Sequence, residues 1–312
     1  EHYGSDIPQG VCFHFEIAGD LLDDETLALL AAAPPGAIQM EIGLQSFHPQ
    51  TLCAIRRKTD VVRLERAIRA LLAPQNIHLH LDLIAGLPHE DWDRFAASFD
   101  TAYRLAPQRL QLGFLKLLHG APMREQPELF PCRYRPEPPY EVLETPWLSQ
   151  RSLERLHDVE RSLDRLYNSG RFRRTLALLL GRCGCTPFAL FDRIGGEFSP
   201  EELCGISLND YTALLLERLG RWPEPGAAAL RDALVCDRLA TDCSGRLPRC
   251  LQEPVPALGQ TRAALDREPQ TRRPAGTKRG LALLTTRPCA VYADYRDKNP
   301  VTGEYALREY PL

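Results

Sequence analysis

Four stretches of alternating apolar and polar residues fall within about the first 120 positions, the period of a half-buried strand. In 12–18, Phe13, Phe15 and Ile17 oppose Cys12, His14 and Glu16. In 38–46, Met40, Ile42 and Leu44 oppose Gln39, Glu41, Gly43 and Gln45. In 77–86, Leu79, Leu81 and Leu83 oppose His78, His80 and Asp82, and 109–118 repeats the pattern more weakly, with Gln111 opposite Leu110 and Leu112.

Between these stretches lie helical segments with recognisable ends. Asp23 or Asp24 caps a segment that stops at Pro34-Pro35-Gly36, and Thr59 or Asp60 caps one that stops at Pro74. A third is expected to open at Pro88, with Glu90 and Asp91 in a first turn where the helix dipole favours negative charge. Strand-to-strand spacings of roughly 27 to 39 residues fit βαβ units and parallel pairing. A polar row on every strand fits a barrel-type sheet with helices outside and a ligand-holding interior, rather than a sheet covered on both faces. Four strands cannot close a barrel. The fold class expected is α/β: a partial (β/α) barrel followed by a mainly helical region.

Beyond about residue 125 the pattern changes. The proline-rich stretch 127–147 reads as an extended connector. Ser149 then caps a helix with Leu153, Leu156, Val159, Leu163 and Leu166 on one face, ending at Asn168-Ser169-Gly170. More helical segments are expected near 171–181, 186–194, 208–220 and 226–240. The stretch 245–279 reads as a loop or linker, and the carboxyl end as two or three strands with a turn around Asn299 to Gly303. The expected division is 1–125, 126–244 and 245–312.

Composition narrows the function classes. The chain has 312 residues, 44% of them hydrophobic, which is ample for a buried core. A net charge of −3 gives no bulk electrostatic case for nucleic acid, and no apolar run is long enough to span a membrane. Ten scattered cysteines with no secretory signal fit free thiols in the cytoplasm. The skew of 34 Arg against 4 Lys is read as coding bias rather than mechanism.

Glu16, Gln45 and Asp82 point from three strands toward one presumed interior, near the carboxyl ends where β/α barrels place their chemistry. Arg57, in the helical stretch after Gln45, offers a carboxylate-binding fork. Gly86-Leu87-Pro88 forms a tight turn after the third strand. Cys183-Gly184-Cys185, the set Cys236, Cys243 and Cys250, and the pair His78 and His80 also have metal-ligand chemistry. Free cysteine is equally a small core residue, and the loop composition around Arg246 and Pro248 spoils a shared helix face, so no metal ligand is assigned.

Phe15-Glu16-Ile17, Ile42-Gly43-Leu44-Gln45-Ser46-Phe47, Ala54-Ile55-Arg56-Arg57 and the run from Asp82 to Pro88 together resemble the middle of the radical S-adenosylmethionine (SAM) core. Their order resembles the branch that contains oxygen-independent coproporphyrinogen oxidase. The fuller stretches resemble cobalamin-domain-containing radical SAM proteins that end in an uncharacterised helical domain, which 166–180 and 187–192 also resemble.

The resemblance implies an enzyme that reductively cleaves SAM at a 4Fe–4S cluster to give a 5′-deoxyadenosyl radical. Glu16, Gln45 and Asp82 would contact the amino or ribose groups of SAM, Arg57 its carboxylate, and Gly86 and Pro88 the adenine side. It also implies a small-molecule or peptide substrate, a flavodoxin- or ferredoxin-type reductant, and cobalamin if the upstream domain is shared.

The family's C-x-x-x-C-x-x-C motif does not occur in these 312 residues, and no Gly-Gly-Glu-like segment occupies a second barrel strand, so the expectation is the carboxyl-terminal portion of such a protein. Two other readings remain open. One is a cluster-free β/α-barrel lyase or aldolase with Asp82 and Glu16 as acid and base, for which Lys116 is the one lysine near a strand end. The other is a non-catalytic scaffold that has lost its cluster.

Overall fold

In the computed structural model, residues 11–252, 255–268, 271–273 and 275–312 are described. They divide into two units, one running up to Asn168 together with Thr186–Gly196, the other comprising Ser169–Cys185 and Glu197–Leu312. The polar segment 1–10 lies outside the described residues.

The first unit is built on β1 (Phe13–Ile17), α1 (Asp24–Ala31), β2 (Ile38–Gln45), α2 (Pro49–Ala54), α3 (Val61–Leu72), β3 (Ile77–Ala85), α4 (Trp92–Arg104) and β4 (Arg109–Phe114). The strands form one parallel sheet in sequential order, β1-β2-β3-β4, as the spacing predicts. The weakest expected strand, 109–118, ends at Phe114. Burial alternates strictly along β2, with Ile38, Met40, Ile42 and Leu44 inside. These pack with Leu79, Leu81 and Leu83 of β3 beneath α3 and α4, whose Leu64, Ile68, Leu71, Phe95 and Phe99 are also buried. Burying each such side chain contributes about 1.5–3 kcal/mol, and the pattern holds the opposite, polar rows of the strands on one face.

Three helix starts follow from side-chain caps: Asp23 accepts from the Thr26 N–H, Asp60 from Arg63 and Asp91 from Arg94. Pro88 does not open α4; Asp91 caps it and Trp92 begins it. Phe13 and Phe15 were expected on a buried face, but are 43% and 44% exposed. They stack on each other on an edge strand, and the neighbouring α1 buries none of its residues.

The connector after β4 contains α5 (Pro122–Glu125) and a short antiparallel pair, β5 (Arg133–Tyr134) with β6 (Val142–Glu144). In α6 (Gln150–Leu163), capped by Ser149, Leu153, Leu156, Val159 and Leu163 are buried, and Leu166 follows in a π-turn. Then α7 (Arg173–Cys183) belongs to the second unit, and α8 (Pro187–Gly195) returns to the first. Phe188 of α8 packs edge-on against Trp92, Phe95 and Phe99 of α4, and its N–H donates to the buried Asp100 at 2.7 Å.

The second unit continues with α9 (Pro200–Leu203), α10 (Leu208–Leu219), α11 (Ala227–Thr241), α12 (Val255–Arg267) and an antiparallel sheet of β7 (Arg279–Leu283), β8 (Cys289–Asp294) and β9 (Arg308–Pro311). Within the expected linker, 255–267 is helical; a proline in a first turn costs no helix hydrogen bond. Asn299 closes the expected turn, its side chain accepting from Val301 and Thr302. Asp237 of α11 is fully buried and accepts from the Arg174 and Thr175 N–H groups, which caps α7. Burial raises its carboxyl to about 6.

Candidate functional site

Parallel pairing aligns the polar rows of β1, β2 and β3. Glu16 is in register with Glu41, Glu41 with His80, and Gly43 with Asp82. Glu16 and His80 thus flank Glu41 from the two neighbouring strands, with Asp82 two residues beyond His80 on the same face. The register slips between Gly43 and Gln45, a bulge at the carboxyl end of β2. Gln45 there adopts the left-handed conformation, φ 67°.

That bulge gathers the sequence-derived residues. The Gln45 amide folds back over Gly43, where a Cβ would collide with its Nε2. Arg57, delivered by the turn after α2, donates through Nη2 to the Gly43 carbonyl. The Oε1 of Gln45, the Nε of Arg57 and Oδ1 of Asp82 are buried without a hydrogen-bond partner. Two acceptors and one cationic donor, shielded from water and with no hydrogen bond at these atoms, form a set that a zwitterionic ligand with hydroxyls can satisfy.

The other two sequence-derived residues serve the loops. Gly86, at φ +89°, closes on Val142; a Cβ there would sit 2.7 Å from Val142 Cγ1. The carbonyl of Pro88 accepts from the Thr51 hydroxyl at 2.9 Å, tying the β3–α4 loop to α2. Lys116 lies beyond β4 in a bridge to Glu141.

Sequence reasoning placed Glu90 in a helix turn; it is instead fully buried and accepts at one oxygen, Oε1, from Ser46 at 2.5 Å and Ser98 at 2.9 Å. The Phe47 N–H donates to Ser98 and the His48 N–H to Ser46. One carboxyl therefore holds the β2–α2 loop, immediately after Gln45, against α4. Burial pushes the Glu90 carboxyl up to about 7.

Glu41 and His80 also went unassigned, although both lie in the polar rows. His80 lies between two carboxylates, its Nδ1 3.3 Å from Glu41 and its Nε2 2.9 Å from Asp82. Glu41 is raised above the usual carboxylate range, first by burial and then by the adjacent Asp82 carboxyl. Among the described residues, the side-chain groups able to share a metal ion are His14, Glu16 and Glu41, and Glu41, His80 and Asp82. Neither contains a cysteine. Cys236 is half-buried, its thiol pushed up to about 11 by burial, while Cys243 and Cys250 are exposed. No helix among the described residues is long and apolar enough to cross a membrane.

Residues 128–272 match a family described as a protein of unknown function (DUF4080). The match includes the helical segments 166–180 and 187–192. The chain is 29% identical over 133 residues to oxygen-independent coproporphyrinogen III oxidase of Paracoccus denitrificans (strain Pd 1222). That similarity covers 42% of this chain and 28% of the relative, so the chain spans less than a third of that protein's length.

Among solved structures, coproporphyrinogen III oxidase (HemN) from Escherichia coli, a radical SAM enzyme, shares 19% identity at a TM-score of 0.35, over 49% of this chain and 32% of that one. The radical SAM methyltransferase TsrM from Kitasatospora setae, with cobalamin and a [4Fe-4S] cluster bound, shares 20% identity at a TM-score of 0.29, over 32% of this chain and 18% of that one.

Proposed function

From a chain whose relatives are radical SAM enzymes, we propose that the polar face of the parallel sheet binds SAM as part of an enzyme that cleaves it reductively. The observation that carries this reading is the convergence of Gln45 and Arg57 on Gly43, next to Asp82, each with a buried unpartnered atom. Arg57 would pair with the methionine carboxylate of SAM. Glu16, Gln45 and Asp82 would accept from its amino group and ribose hydroxyls, and the Gly86-Leu87-Pro88 turn would border the adenine.

SAM would supply a carbon–sulfur bond cleaved by one electron; these side chains would fix the ligand's orientation and keep water from its charged end. A 4Fe–4S cluster needs three thiolates, and no three cysteines gather among the described residues, so these residues do not fit a cluster. Cobalamin and an external reductant would belong to the same reaction class.

The test is SAM binding to this chain, measured by equilibrium dialysis. A charge-assisted hydrogen bond is worth about 1.5–3 kcal/mol, so Arg57→Ala should weaken binding roughly ten- to a hundredfold. Asp82→Ala should weaken it too, and Arg57→Lys should restore little, since a point charge does not replace the fork. Binding unaffected by both alanine variants would refute the assignment.

A further inference from the structure

Deeper along the strands than Gln45, the same sheet face carries a second arrangement. Glu41 on β2 and His80 on β3 are register partners, and Asp82 follows two residues on with its side chain on the same face. One donor atom from each of the three lies within 4.8 Å of the others. The His80 side chain is only 8% exposed. Its Nε2 and Asp82 Oδ1 are 2.9 Å apart, yet both are buried with no hydrogen-bond partner, because the approach is poorly aligned for one. A buried imidazole nitrogen and a carboxylate oxygen therefore face each other with neither bonded.

We propose that Glu41, His80 and Asp82 form a binding site for a divalent first-row transition metal ion. Two ligands of an ion with bonds of about 2.0–2.2 Å stand about 3 Å apart across an angle near 90°, close to the His80–Asp82 separation. A cation would also offset the two crowded carboxylates, which the single imidazole between them does not neutralise when uncharged. One imidazole with carboxylates suits zinc, manganese, iron or cobalt better than calcium or magnesium, which favour all-oxygen sets. His14 and Glu16 place further donor atoms within 4.8 Å of a Glu41 oxygen, on the more exposed side; the His14 side chain is 45% exposed. The ion thus has protein donors on its buried side and room for a solvent or ligand oxygen on the other.

The site shares Asp82, and Glu16 on its exposed side, with the SAM reading but does not rest on it, so the experiment is run without SAM. The full chain, with its cysteines reduced, is titrated with cobalt(II) and followed by visible absorption and by equilibrium dialysis. The expected result is a bound equivalent whose spectrum lacks the intense thiolate charge-transfer band, with affinity lowered at least tenfold by Glu41→Gln. Glu41→Gln is nearly isosteric at a partly exposed position, and circular dichroism confirms its fold; His80→Ala, at a buried position, is the second variant. A purely thiolate spectrum, or cobalt affinity unchanged by Glu41→Gln and by Asp82→Asn, would overturn the site. Loss of SAM binding on Arg57→Ala reads the other proposal and leaves this one untouched.

Discussion

The Asn168 side chain pairs with both backbone groups of Leu110, its Oδ1 accepting from the N–H at 2.9 Å and its Nδ2 donating to the carbonyl at 2.8 Å. The amide does what a neighbouring strand would do, satisfying the edge of β4 at a fully buried residue. The same Nδ2 also donates to Asp164 at 2.6 Å, which orients it.

Asn168→Ala should therefore cost about 1–3 kcal/mol, because it leaves a buried N–H and carbonyl unpaired. Asn168→Asp should cost nearly as much, since a carboxylate cannot donate to the Leu110 carbonyl and repels Asp164. Denaturant unfolding of both variants checks this; a Asn168→Asp variant as stable as the parent would show that the donor half of the pairing is idle.

Glu90 sets a pH dependence. Its folded carboxyl titrates at about 7, above the ordinary glutamate value, so the folded state holds a proton that the unfolded state has released between those pH values. Its contribution is fully present below about pH 4.5 and is lost as pH rises through 7, costing on the order of 3 kcal/mol once the group is charged. The expected outcome is a melting temperature that falls between pH 5 and 8 and a flatter profile in Glu90→Gln, which keeps an acceptor for Ser46 and Ser98 but cannot ionise. Identical profiles for the two proteins would show that Glu90 is not the titrating group.

Gln45 separates ligand binding from folding. A non-glycine residue at φ 67° costs of order 1–3 kcal/mol of backbone strain. Glycine relieves that strain but gains about 0.5–1 kcal/mol of unfolded-state freedom, so Gln45→Gly should leave stability unchanged or slightly raised. Removing its amide should nevertheless weaken SAM binding under the proposed reading. Thermal unfolding and equilibrium dialysis on the same variant distinguish the effects; a marked loss of stability would mean that the Gln45 side chain supports the bulge.

The parts legible in sequence are those set by local period and capping. The strict alternation of β2, and that of β3 as far as Leu83, announced their faces, and Asp91 was legible as an acidic residue at a helix start, although only geometry makes it the cap. The rest depends on contacts between distant segments. The burial of Glu90 could not be read from residues 88–91, because it arises from Ser46 and Ser98, 44 and 8 residues away. Phe13 and Phe15 carry the pattern of a covered strand, and only the placement of the helices decides whether a cover exists. Within the site, the sequence nominates Glu16, Gln45 and Asp82 as ligand residues and names His80 only beside His78, whereas the structure sets His80 between Glu41 and Asp82. Period two places all of them on one face, but it does not say which side chains find partners there.

Gly86 tests how the end of β3 is held. Alanine at this position meets two separate penalties: a positive φ of +89° and a Cβ 2.7 Å from Val142 Cγ1. Left-handed strain alone costs roughly 1–2 kcal/mol and overpacking typically about 1–3 kcal/mol. Gly86→Ala should thus destabilise by about 2–5 kcal/mol. Adding Val142→Ala removes the collision but not the strain, at the expense of a cavity beside a residue that is 2% exposed. The double-mutant cycle should therefore show a coupling energy of about 1–3 kcal/mol, with the pair less destabilised than the sum of its single variants. Strict additivity would mean that the loop moves away from Val142 when a Cβ is added, and that the strand end is not held by this contact.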